Sequence, residues 1–119
     1  MQTINTPQGT DKNVVITFTN PIDSYTNIAV WIVTEQNSVV SSGTTPLKFA
    51  YIAKTGHITG YITKTAVNDV TFKLPSLYTK AMQVGVYKME LWAELTAGNL
   101  KSLTIPLLIN VTKSAAKDL

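Results

Sequence analysis

The chain has 119 residues, of which 45% are hydrophobic and 14% are charged. This is long enough and apolar enough for one domain with a hydrophobic core, and it argues against intrinsic disorder. The net charge is +3 and all ten basic residues are scattered lysines, so nucleic acid is not an expected partner in the absence of arginine or a basic cluster; the lack of cysteine excludes a disulfide framework, a thiol nucleophile and thiolate metal ligands.

The N-terminal sequence is polar and lacks the basic and apolar regions of a signal peptide. No apolar run approaches the roughly 20 residues of a membrane-spanning helix. We therefore expect a soluble chain that is not exported and has no membrane partner.

Alternation of apolar and polar residues, the two-residue period of a half-buried β-strand, predicts most of the elements. Residues 1–12 are polar and are predicted to form an extended N-terminal arm. Strands follow at residues 13–20 and 26–35. The second of these is apolar on both faces, which predicts a central strand or one with a face in an interface. A turn at residues 36–37 and a short return arm at 38–41 come next.

The rest of the chain shows the same alternation, interrupted by single Gly and Pro residues. Further strands are predicted at residues 48–55, 58–67, 70–74, 85–95 and 103–111. One or two helical turns are predicted at residues 77–84, with Ser76 as the N-cap, and a hairpin loop at 97–99. Residues 113–119 are predicted to be a polar tail or the start of a linker.

Seven to eight such strands, with turn signals roughly every 8–12 residues, predict an all-β fold: an Ig-like antiparallel β-sandwich with at most a short helical turn. The sandwich domain is predicted to cover residues 13–112. The inward-facing parity of the strands predicts its core, which includes Ile16, Phe18, Ile32, Phe72, Leu74, Tyr87, Met89, Leu91, Ile105, Leu107 and Ile109.

The strand at residues 85–95 carries a candidate interface. Lys88, Glu90, Trp92 and Glu94 share the face that the alternation predicts to be exposed. An exposed indole often anchors a protein–protein contact, so this face is predicted to bind another chain. The alternative is that a loop or the N-terminal arm covers Trp92. The other tryptophan, Trp31, lies in the strand that is apolar on both faces and is predicted to pack in the core.

No constellation of catalytic residues is visible in the sequence. His57, the only histidine, follows a glycine and is predicted to be an exposed turn residue rather than the general base of a hydrolase. Glu90 and Glu94 lie on one strand face about 13 Å apart, whereas the two carboxyls of a glycosidase lie roughly 5–10 Å apart. Asp11 and Asp23 could share a calcium ion only if the fold brings them together. We therefore predict a protein that is not an enzyme, with no catalytic residue, no metal site and no cofactor.

Two segments resemble a known family. The first is Phe72-Lys73-Leu74-Pro75, followed after a short spacer by Gly85-Val86-Tyr87-Lys88-Met89-Glu90-Leu91-Trp92; the second is Asp11-Lys12-Asn13, which enters an apolar strand. The combination is similar to the N-terminal domain of upper baseplate proteins from phages of Gram-positive bacteria. In that family an alternating strand ends in Leu-Pro, a short helical segment follows, and a Gly-x-Tyr strand comes next. Residues 34–53 show no feature of that family.

The resemblance implies a β-sandwich that docks a tail fibre or receptor-binding protein to the tip of a phage tail. It implies other tail or baseplate proteins and further copies of the chain as partners, and a place in the virion after assembly in the host cytoplasm. The alternative is a carbohydrate-binding module in which Trp92, Tyr87 or Tyr61 stacks on sugars. That function requires two or three coplanar exposed rings on one face.

Overall fold

The structure is a computed structural model that describes residues 2–34, 38–42, 45–95, 100–103 and 107–115. Its regular structure is mostly strand, as predicted, with one 3-10 turn and one short helix. In chain order the elements are β1 (Gln2–Pro7), β2 (Lys12–Thr17), the 3-10 turn (Ile22–Ser24), β3 (Asn27–Val33), β4 (Ser41–Ser42), β5 (Thr45–Pro46), β6 (Lys48–Ala50), β7 (Ile62–Lys64), β8 (Asp69–Leu74), α1 (Ser76–Thr79), β9 (Gly85–Glu94), β10 (Leu100–Leu103) and β11 (Leu107–Thr112).

Two sheets enclose the core. The larger sheet has the order β1-β11-β9-β3-β6, with β10 also pairing with β9, and the smaller sheet has the order β2-β8-β7. Neighbouring strands are antiparallel except β1 and β11, which are parallel. The smaller sheet matches strands B, E and D of an immunoglobulin-type sandwich, and the larger sheet matches strands G, F, C and C′. The predicted Ig-like β-sandwich is confirmed.

A hallmark of immunoglobulin domains lies where β9 begins. The hydroxyl of Tyr87 donates a hydrogen bond to the carbonyl oxygen of Gln83 at 2.7 Å, as in a tyrosine corner. Antibody domains place a disulfide cysteine two residues after this tyrosine. Here that position is the buried Met89, so apolar packing takes the place of a cross-link.

Inward-facing apolar side chains of both sheets form one buried core. Because side chains alternate along a strand, β3 contributes Ile28, Val30 and Ile32, all fully buried. Most of the predicted core residues are buried as expected: Ile16, Phe18, Ile32, Phe72, Leu74, Met89, Leu91, Leu107 and Ile109. Tyr87 is half-buried and packs against the core, and Ile105 lies outside the described residues.

The N-terminal segment belongs to the sandwich. The arm predicted at residues 1–12 is extended, but its β1 segment pairs with β11 along its whole length, so the sandwich does not begin at residue 13. The alternation does not reveal this strand because polar residues surround Ile4, the residue that β1 packs against the core. After β1, the Gln8 side chain donates to the Met82 carbonyl at 2.7 Å and holds the following turn in place.

Two strands in the middle of the chain are shorter than predicted. The strand expected at residues 48–55 ends with β6, because the Asn27 side chain binds the backbone that follows: Oδ1 accepts from the N–H of Ile52 at 3.0 Å and Nδ2 donates to its carbonyl at 3.2 Å. The strand expected at residues 58–67 is reduced to β7. Before β7, Gly60 has a φ of 93°, a conformation that favours glycine and interrupts an extended strand.

Of the one or two helical turns predicted at residues 77–84, the structure has one, α1, which begins at Ser76 and ends at Thr79. Ser76 was expected to cap it, but the N-cap position is Pro75, which offers no side-chain oxygen. Asp11 supplies the acceptor instead, since its Oδ1 accepts from the N–H of Ser76 at 2.6 Å. Within the described ranges, no helix has the length and apolar character needed to span a membrane.

The return arm predicted at residues 38–41 is present in part. The N–H of Thr34 donates to the carbonyl of Ser38 at 2.8 Å, and Val39 forms an antiparallel bridge with Val33. Three other predicted features lie outside the described residues: the turn at 36–37, the hairpin loop at 97–99 and the end of the tail at 116–119.

Candidate functional site

The candidate site is the outer face of the larger sheet, the face turned away from the smaller sheet. Alternation along β9 places Lys88, Glu90, Trp92 and Glu94 on this face, opposite to the buried Met89. All four are half-buried. The structure thus brings the predicted interface residues together, and their contact with a partner stays a prediction.

Two tryptophans meet near the centre of this face. β3 lies beside β9 with Ala29 opposite Trp92 and Trp31 opposite Glu90, so the two indoles are diagonal neighbours. Their ring centroids lie 5.5 Å apart and their planes are inclined by 38°. Trp31 was predicted to pack in the core. Instead it is half-buried on the outer face, because its parity is opposite to that of the core residue Val30.

His57 extends this pair to the aromatic row, defined as His57, Trp31 and Trp92. The indole N–H of Trp31 donates to Nε2 of His57 at 3.0 Å, and the two ring centroids are 6.0 Å apart. An indole nitrogen can only donate, so Nε2 is an acceptor and the neutral imidazole carries its hydrogen on Nδ1. Nδ1 lies 3.2 Å from the carbonyl oxygen of Thr55. The expected exposed turn residue is therefore half-buried and belongs to the site.

Charged groups surround the aromatic row. Oε2 of Glu90 accepts from the indole N–H of Trp92 at 3.4 Å. Oε1 of Glu94 lies 3.7 Å from Nζ of Lys54, and the Glu94 side chain is only 13% exposed. Lys48 of β6 lies on the other side of β3. An apolar centre within a charged rim is the usual composition of a protein–protein interface.

The acidic residues considered for calcium lie apart. Asp11 accepts the hydrogen bond from Ser76, and its Oδ2 lies 3.7 Å from Nζ of Lys73. The backbone hydrogen bond, assisted by the lysine charge, lowers the pKa of Asp11 below its ordinary value of 3.8. Asp23 pairs instead with Lys64 at 3.0 Å. In the part of the chain that the structure describes, no three acidic or histidine side chains are grouped to hold a metal ion.

The hydrolase interpretation finds no support around His57. Among the described residues the ring bonds to an indole N–H and a main-chain carbonyl, neither of which is a nucleophile. A groove of about 420 Å³ runs along β2, and a cavity of about 260 Å³ lies beside Met82 and Tyr87. Among the residues that the structure describes, no carboxylate, lysine or histidine lines either of these two spaces.

The rings considered for sugar binding do not share a face. Trp92 lies on the outer face of β9, whereas Tyr87 has the opposite parity on the same strand. Tyr61 packs edge-on against the core residue Phe49, with centroids 5.9 Å apart. The ring that does accompany Trp92 is Trp31, and its 38° inclination departs from a coplanar platform.

No protein-family model and no curated protein matches the chain. Among solved structures, the chain is similar to murine CRIg, with 13% sequence identity, a TM-score of 0.43, and coverage of 93% of this chain and 92% of that chain.

Proposed function

We propose that the chain is a structural adaptor module whose outer face binds another protein chain. The observation that supports this is the aromatic row, two indoles and an imidazole that stay half-buried in the middle of a sheet face. Tryptophan is enriched among the residues that dominate binding energy at interfaces. Burying a large apolar side chain fully contributes roughly 1.5–3 kcal/mol, and an oligomer repeats this gain at each equivalent contact.

The shape and charge of the face favour a protein partner over a sugar. The inclined rings of Trp31 and Trp92 form an uneven apolar surface. Around them, Glu90 and Glu94 supply negative charge and Lys54 supplies positive charge. Charges of both signs around an apolar centre select a complementary partner surface and fix its orientation.

We further propose that this adaptor works in a bacteriophage tail or baseplate, where it docks a fibre or receptor-binding protein to the virion. The basis is the resemblance of its two segments to upper baseplate proteins. These segments adjoin in the structure, since Asn13 lies opposite Lys73 and Asp11 binds the N–H of Ser76. Their contact supports treating them as one unit. The partners would be other tail or baseplate proteins and further copies of the chain.

The genes beside the coding sequence test this setting. We expect tail or lysis genes there, and we expect mass spectrometry to find the chain in purified particles of the phage that encodes it. A metabolic operon around the gene, or purified particles that lack the chain, would contradict the phage assignment.

Trp92→Ala should weaken binding to the tail protein that a neighbouring gene encodes by about tenfold or more, since a tenfold loss corresponds to about 1.4 kcal/mol. The free energy of unfolding of the free chain should also fall by about 0.5–1.5 kcal/mol, because Trp92 packs on Trp31. Affinity is measured by titration calorimetry well below the unfolding temperature of each variant.

Thr63→Ala is the matched control, because Thr63 is exposed and lies on the smaller sheet. It should leave the affinity unchanged. Equal affinities of the Trp92→Ala variant and the parent chain would overturn the outer face as the docking site. A change of tryptophan fluorescence on addition of soluble saccharides would instead favour the carbohydrate-binding alternative.

A further inference from the structure

The smaller sheet has an open edge at β2. This strand pairs with β8 on one side, and no strand among the described residues pairs with its other side. Natural proteins usually protect such an edge with proline or charge. Residues 13–17 contain neither, and Val15 at their centre is 63% exposed. The edge is thus available for pairing with another strand.

The register shows which backbone groups face this edge. The N–H of Phe18 donates to the carbonyl of Asn68 at 2.8 Å, which makes these two residues a hydrogen-bonded pair in line with the β2–β8 ladder. Hydrogen-bonded pairs alternate with non-bonded pairs along an antiparallel ladder. The even-numbered residues of β2 therefore bond to β8, and the N–H and C=O groups of Asn13, Val15 and Thr17 point away from it.

A groove runs beside these groups. It has a volume of about 420 Å³ and lies between β2 and the β1–β11 side of the larger sheet. Its apolar lining comes from Ile4, Val14, Ile16 and Leu107, and no titratable side chain of the described ranges lines it. The groove therefore offers an added strand backbone hydrogen bonds and apolar contacts, but no charge to recognise.

We propose that a second copy of this chain occupies the edge, with the two β2 strands antiparallel about a twofold axis at Val15. Val15 then faces Val15 of the second copy, and Asn13 faces its Thr17. Each pair exchanges both backbone hydrogen bonds, because the outward-pointing residues are symmetric about Val15. Lys12 falls opposite Phe18 of the second copy, so like charges do not face each other. The two smaller sheets join into one.

Two features favour a second copy over an unrelated peptide. The edge is self-complementary in its backbone groups, and the exposed Val15 side chain gains an apolar partner in its own symmetry mate. An uncharged groove selects no particular charged peptide. Pairing of one short strand buries less than the standard interface of roughly 1,600 Å², so we expect a dimer whose population depends on concentration. This dimer forms through the smaller sheet. Its formation does not depend on whether the outer face of the larger sheet binds another chain.

Cysteine substitutions test the register, because the chain has no cysteine of its own. Val15→Cys should form a disulfide-linked dimer on mild oxidation. Facing Cα atoms of a hydrogen-bonded pair lie about 5.5 Å apart, within the range of about 4.4–6.8 Å of disulfides. Asn13→Cys and Thr17→Cys should each remain uncross-linked alone, since their own copies lie about 13 Å away along the strand. A mixture of the two should cross-link.

Sedimentation equilibrium over a range of concentrations tests the dimer itself. The parent chain should shift from monomer to dimer as its concentration rises. The control Val15→Thr keeps the backbone N–H and should show the same shift. Val15→Pro should stay monomeric and folded, because proline is tolerated where the N–H faces solvent. If that variant does not fold, Val15→Lys replaces it, since two lysines would then face each other at the axis. A parent chain that stays monomeric, or a dimer that survives these changes without cross-linking at position 15, would overturn the proposal.

Discussion

Thr6 and Thr79 are both fully buried, but their hydroxyl groups differ in hydrogen bonding. Oγ1 of Thr79 donates to the carbonyl of Thr10 at 2.8 Å, whereas Oγ1 of Thr6 has no partner among the described residues. A buried polar atom without a partner costs free energy, and a paired one contributes about 0.5–1.5 kcal/mol. Thr6→Val should therefore raise the free energy of unfolding by about 1 kcal/mol, and Thr79→Val should lower it by about 1–2 kcal/mol. Urea unfolding of both variants checks this, and shifts of the same sign would contradict it.

Single residues of the candidate site differ in how well the sequence predicts them. The face of Trp92 follows from its neighbours in β9, because their alternation is regular. Trp31 lies in a strand that is apolar on both faces, so periodicity cannot separate core from surface there. The hydrogen bond between Trp31 and His57 joins residues that are 26 positions apart. It depends on how the chain returns after β6, which no local pattern encodes.

At the scale of elements, bonds to other segments hold the connection between β8 and β9. α1 is a single turn, too short to be stable by helix propensity alone. Asp11 caps it, Thr79 binds the turn after β1, and the Tyr87 hydroxyl donates to Gln83 just before β9. The strands β8 and β9 were predicted from alternation and are present. The single turn of α1 agrees with the predicted one or two turns, but where it begins and ends depends on these tertiary bonds.

Tyr87→Phe tests this connection. Loss of the 2.7 Å hydrogen bond to Gln83 should lower the free energy of unfolding by about 1 kcal/mol. Burial raises the pKa of Tyr87 above its ordinary value of 10.0. The folded state favours the neutral phenol. The stabilisation that the Tyr87 hydroxyl gives is therefore complete below pH 10 and is lost as the pH rises through the pKa of Tyr87 in the folded state.

The stability difference between the parent chain and Tyr87→Phe should thus shrink above pH 10. Denaturant unfolding at neutral and alkaline pH measures it. Tyr51→Phe is the control, at a half-buried tyrosine whose hydroxyl has no hydrogen bond in the described part of the chain. An equal loss of unfolding free energy in both variants would contradict a stabilising role of the hydrogen bond from Tyr87 to Gln83.

At the scale of the whole molecule, the sequence predicts the fold class but not the order of strands. Regular parity and turn spacing are local properties, and they suffice for an Ig-like β-sandwich. The parallel pairing of β1 with β11 joins the two ends of the chain, and its polar sequence carries no periodic signal. The open edge at β2 is likewise not predictable from local sequence, because it results from β1 joining the larger sheet instead of the smaller one.

Removal of residues 1–7 should therefore destabilise the sandwich, because β11 would lose its parallel neighbour and the core would lose Ile4. Ile4→Ala alone should lower the free energy of unfolding by about 1–2 kcal/mol. This loss is below the usual range for a fully buried isoleucine because Ile4 is half-buried. Thr3→Ala changes an exposed residue of the same strand and should leave the free energy of unfolding within about 0.5 kcal/mol of the parent value. Thermal unfolding should rank the truncated chain lowest, then Ile4→Ala, then Thr3→Ala. A truncated chain that unfolds at the parent temperature would show that the N-terminal segment is an arm, as the sequence alone suggests, and that the sheet is complete without it.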